Sequence, residues 1–70
     1  MSQTYTAVIK QDDSWWIGWI EEIPGVNSQG KSREELIENL RSALQEALDF
    51  NREEARSAAE NGYIEESITL

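Results

Sequence analysis

The spacing of apolar positions changes period once along the chain. Residues Thr4 to Lys10 read Thr-Tyr-Thr-Ala-Val-Ile-Lys, and β-branched and aromatic side chains of this kind suit a pleated strand. Tyr5, Ala7 and Ile9 fall on one face, with Thr4, Thr6, Val8 and Lys10 on the other. The polar cluster Gln11-Asp12-Asp13-Ser14 predicts a hairpin turn. Trp15 to Ile20 predicts a second strand, with Trp15, Ile17 and Trp19 on one face and Trp16, Gly18 and Ile20 on the other. Both faces are apolar, which predicts a central strand covered on both sides. Gly18 in mid-strand predicts a close approach by whatever packs over it. Ile23-Pro24-Gly25 predicts a turn, because proline presets φ and glycine accepts a positive φ after it. Val26 to Gln29 is short and fairly polar, an edge strand closed by Gly30-Lys31.

The period then lengthens. Ser32-Arg33-Glu34-Glu35 has the spacing of a capping box: the Ser32 hydroxyl accepts from the Glu35 amide, and the Glu35 side chain reaches back to the Ser32 amide. Leu36, Ile37, Leu40, Ala43, Leu44, Ala47 and Leu48 form one helical stripe, with Arg33, Glu38, Arg41, Gln45 and Asp49 opposite. After Phe50 the stripe thins to Ala55, Ala58 and Ala59, and Asn61-Gly62 is a natural stop. The helix runs from Arg33 to about Glu60, or breaks near Phe50-Asn51. Unbroken, it is about 42 Å long, more than a small sheet needs. Its second half is then exposed or packed on another subunit. Glu66, Ile68 and Leu70 share a face and predict a last strand from about Glu66.

The expected fold class is therefore α+β, with two layers in the order β-β-β-α-β. It has a mixed four-stranded sheet with one long helix on one face. The sheet order is third, second, first, fourth, the third and fourth strands running parallel through a right-handed crossover. One helix covers one sheet face, so the other is exposed or buried against a partner.

Composition narrows what such a fold does. Seventy residues make a single domain, 1–70. A chain this short hides only about 60% of its unfolded surface, so its core is marginal alone. There is no cysteine and no histidine, which removes disulfides, thiolate metal sites and the commonest general base. Self-association is the remaining support, and a homodimer or homotetramer is expected. A net charge of −8 and a pI near 4.3 repel phosphate backbones, so this domain alone is expected to bind no nucleic acid. The same charge suits a basic protein partner, or serves only solubility. No apolar run has the length of a membrane span and no secretory leader is evident, which predicts a cytoplasmic protein. Three tryptophans and the periodic pattern argue against disorder despite 39% hydrophobic content.

Several segments together resemble a known family. They are the first strand Tyr-Thr-Ala-Val-Ile, the second Trp-Trp-Ile-Gly-Trp-Ile, then Glu22-Ile23-Pro24-Gly25-Val26, Ser28-Gln29-Gly30 and the helix opening Ser32-Arg33-Glu34-Glu35-Leu36. Their order is similar to the "LPG…SQG-x-[ST]-x-EE" pattern of the HicB family of antitoxins, also described as HicB-like or partial RNase H-fold proteins. The likeness spans about residues 4 to 50, and the last strand fits it. It implies dimers or tetramers and the neutralisation of HicA toxins, which are small, basic, mRNA-cleaving proteins. Many family members add a C-terminal DNA-binding module. Here the sequence stops at Leu70, so operator binding is not expected.

Asp12, Asp13, Glu21 and Glu22 are the carboxylates near the expected sheet. Nucleases of the RNase H fold hold two metal ions on clustered carboxylates, but aspartates in a turn commonly serve local hydrogen bonds. No enzyme activity, cofactor or metal is therefore expected. Trp15, Trp16 and Trp19 are core or interface residues, since tryptophan is enriched at binding hot spots. They are candidates for the buried centre of a subunit or toxin interface, with Asp12, Asp13, Glu21 and Glu22 as its charged rim. The expected function is an antitoxin-type binding protein that covers the RNA-binding surface of a basic toxin. The alternative is an orphan oligomeric module of the same fold, with a scaffold or small-ligand role.

Overall fold

The computed structural model describes residues 4–70. Three strands, β1 (Ala7–Asp12), β2 (Trp15–Ile20) and β3 (Asn27–Gly30), precede one helix, α1 (Arg33–Ala59). β1 and β2 form a hairpin that places Asp12 opposite Trp15. The loop is the two residues Asp13-Ser14, shorter than the predicted four-residue turn. Asp13 takes a φ of 62°. A positive φ matches a short loop to the right-handed twist of the strands, and aspartate tolerates it better than most residues. β3 pairs antiparallel with β2, giving the order β1-β2-β3.

The helix covers one face of this sheet. Leu36 and Leu40 are its fully buried side chains, and with Ile20 and Val26 they form the core. Ala7, Ile9, Trp16, Ala43, Leu44 and Ala47 pack around that cluster. Two glycines let the layers touch. A Cβ on Gly18 would lie 2.9 Å from the Val8 carbonyl oxygen and 3.2 Å from Leu36 Cδ2, so the expected close approach is there. At Gly30 a Cβ would lie 2.7 Å from the Leu36 amide nitrogen, which seats the first helical turn on the end of β3.

The helix start follows the cap signal with one change. The Glu35 amide donates to Ser32 Oγ at 3.1 Å, but Glu35 Oε2 accepts from the Lys31 amide at 3.0 Å rather than from Ser32. There is no break at Phe50-Asn51. Arg52 to Ala59 are mostly strong helix formers, and Arg52 pairs with Asp49 across one turn at 3.6 Å. The chain leaves the helix at Glu60, with a left-handed φ of 63°, and Gly62 follows at 74°.

The expected fourth strand does not form, so the sheet has three strands and is wholly antiparallel rather than mixed. Residues 61–70 are irregular and exposed. Tyr63, Ile64 and Glu65 fold back on the last helical turns, where Arg56 Nε meets Glu65 Oε1 at 3.4 Å. The reason is reach. Leu44 lies beside Thr4 and Tyr5, just before β1 begins. From Leu44 the helix continues to Ala59, about 22 Å further on. Pairing along β1 requires returning that distance and then running about 20 Å beside the strand. Residues 60–70 extend over about 36–40 Å at most, short of that full path. Local alternation favours a strand there, but the long helix carries the segment away from its own sheet. The molecule is accordingly elongated, 51 × 23 × 16 Å. Among the described residues no helix is long and apolar enough to cross a membrane.

Candidate protein-interaction surface

The register decides which side chains share the face that α1 leaves uncovered. Cross-strand partners point the same way. Trp15, Ile17 and Trp19 on β2 therefore lie with Asp12, Lys10 and Val8 on β1, and with Gln29 and Asn27 on β3. The result is a central apolar stripe with polar residues on both flanks. Trp15 and Trp19 are each 42% exposed, and Ile17 and Val8 between and beside them are half-buried.

Trp16 sits apart from this stripe. It pairs with Gln11 and Gly30 on the covered face and packs against the core. Of the three candidate tryptophans, two meet on the open surface and the third supports the fold.

The four carboxylates divide between two ends of β2. Asp12 and Asp13 stand at the hairpin loop, and Glu21 and Glu22 follow the far end of the strand. Six residues of strand, about 20 Å, separate the pairs. They form no shared metal cage, and no group of three or more metal-ligating side chains occurs among the described residues. Charge therefore brackets the tryptophan stripe rather than collecting at one point. Glu22 also has a local task. Its Oε1 accepts from the Thr6 amide at 2.8 Å, while the neighbouring Glu21 amide donates to the Thr6 carbonyl at 2.9 Å. The bond from the Thr6 backbone, then that from its side chain, holds the Glu22 carboxyl below the usual glutamate range. Glu22 thereby clamps the segment entering β1.

The sequence pattern missed Val8, Lys10, Asn27 and Gln29 as members of this surface. The two registers bring them in: with Asp12 opposite Trp15, Lys10 and Val8 stand opposite Ile17 and Trp19, and the β2–β3 pairing sets Gln29 and Asn27 opposite the same two residues. Compared with family models, curated proteins and solved structures, the chain finds no match. The resemblance to HicB antitoxins thus stands on the sequence segments that carry it.

Proposed function

We propose that the chain is a protein-binding module of the HicB antitoxin type, which neutralises a small, basic, mRNA-cleaving partner by covering its RNA-binding surface. The observation that carries this reading is the uncovered sheet face, where Trp15 and Trp19 stand 42% exposed in a chain of net charge −8. Tryptophans on a rigid strand offer large contact area at low entropy cost, and they are enriched among residues that dominate binding energy. Carboxylates at both ends of the stripe give the face a negative rim. A protein that grips RNA displays Lys and Arg along the substrate path. An acidic cover matches that field, which raises the association rate more than the final affinity. The reading assigns the chain no catalytic step and no cofactor, and places it in the cytoplasm with its partner.

Co-expression with a HicA-type basic protein encoded beside it, followed by affinity purification and an mRNA-cleavage assay, tests the proposal. A stoichiometric complex with cleavage suppressed is expected. Active basic protein that fails to co-purify would instead favour the orphan oligomeric module.

A further inference from the structure

The free edge of β1 and the segment after the helix are complementary, and neither is satisfied within one chain. The Glu21–Thr6 bond makes those two residues a hydrogen-bonded pair, and such pairs alternate along an antiparallel ladder. Val8, Lys10 and Asp12 therefore bond inward to β2. The amides and carbonyls of Ala7, Ile9 and Gln11 point outward along an edge that no strand among the described residues occupies. The opposite edge is different, because Asn39 Nδ2 donates to the Gln29 carbonyl at 2.8 Å. Beside the β1 edge a groove of about 410 Å³ opens towards the helix, lined by Tyr5, Ala7, Ile20, Ile37, Leu40 and Leu44. Arg41 also lines it, with its Nε 3.9 Å from Glu38 Oε1.

The segment that follows the helix has the matching properties. Ile64, Ile68 and Leu70 are 81%, 84% and 116% exposed. They fall on one side of an extended chain together with Glu66, an apolar face with one anion, against an apolar groove with one cation. By the distances given above it is too short to pair along the whole of β1 in its own chain. We propose that two copies of the chain exchange these segments, so that residues 64–70 of each copy add as a strand beside β1 of the other. Each copy supplies one groove and one strand, so the exchange closes as a two-fold dimer. Ile64, Ile68 and Leu70 fill the groove, and the edge groups of Ala7, Ile9 and Gln11 gain partners. The exposed second half of α1, including Phe50 at 61%, then bridges the two sheets. The inference stands apart from the antitoxin reading, because the tryptophan face is left free.

Sedimentation of the full chain and hydrogen exchange read this together. The full chain is expected at twice its 8.0 kDa mass, with the Ala7, Ile9 and Gln11 amides protected. Ile68→Asp/Leu70→Asp alters only exposed side chains and is expected to halve the mass, retain the helical dichroism and speed exchange at those amides by about tenfold or more. Ala7→Pro removes one outward donor at the start of an edge strand, where proline is tolerated, and is expected to weaken the dimer likewise. A full chain that sediments as a monomer overturns the proposal, whether or not those amides are protected. So does a dimer that persists in Ile68→Asp/Leu70→Asp, which would move the interface elsewhere.

Discussion

Gly30→Ala probes the contact that seats the helix on the sheet. A Cβ at this position would lie 2.7 Å from the Leu36 amide nitrogen and 3.1 Å from both Glu35 C and Leu36 Cα. All three are backbone atoms of the first helical turn, so no rotamer change relieves the overlap. Reaching ordinary contact moves the helix start outward by about 0.7 Å. That displacement loosens the packing of Leu36, which is 0% exposed. Overpacking of this kind costs about 1–3 kcal/mol. Replacing glycine in a strand returns about 0.5–1 kcal/mol through the unfolded chain. The expected net loss is about 1–2 kcal/mol, a large share of the roughly 4–10 kcal/mol available to a domain of this size. The corresponding fall in Tm is about 5–15 °C, read by far-ultraviolet circular dichroism at one fixed protein concentration. Gly25 is the control. Its φ is 89° and nothing lies within 4 Å of the added Cβ, so substitution there meets backbone strain alone. Asparagine, which tolerates that conformation, should therefore be milder than alanine at position 25 and harsher at position 30. Wild-type stability for Gly30→Ala, or a rescue by Gly30→Asn, would refute the close-contact argument.

Three further outcomes are expected. Ser32→Ala removes the acceptor for the Glu35 amide and should cost about 0.5–2 kcal/mol in a urea titration; an unchanged midpoint would show that the cap bond contributes nothing. Glu22→Gln tests the clamp on Thr6: a carboxyl whose folded pKa lies below its unfolded value contributes in full above the usual glutamate range and loses that contribution as pH falls below it, through the lowered folded pKa. The gap in Tm between wild type and Glu22→Gln should therefore be present at pH 7 and shrink as the pH falls below the usual glutamate range, and a gap that does not change with pH refutes the assignment. Trp19→Ala should reduce affinity for the basic partner by roughly thirtyfold, about 2 kcal/mol, with less effect on folding than Trp16→Ala, whose side chain packs on the core; the reverse ranking would place the interface on another surface.

Much of the fold and part of the surface were legible in the residue pattern. Period two fixed the faces of β2, so the separation of Trp16 from Trp15 and Trp19 needed no structure. Gly18 correctly signalled close packing. The Ser32–Glu35 spacing and the Leu36-Leu40-Leu44 stripe placed the helix start and its buried side, because capping and amphipathicity are set by neighbours three and four residues apart. Which residue of β1 stands opposite which tryptophan was not legible. Hairpin register decides it, and a loop of two residues instead of four puts Asp12, not Lys10, opposite Trp15.

Residues 66–70 show the boundary most clearly. Their alternation states that they can be a strand and says nothing about what they can reach. Local geometry in the residue pattern sets three strands, a capped helix and two apolar faces on β2. Only the tertiary structure shows that the β1 edge stays open and that the last segment does not pair along it in its own chain. Those outcomes turn on distances accumulated over the 27 residues of the helix, a length that no pattern within a few residues records.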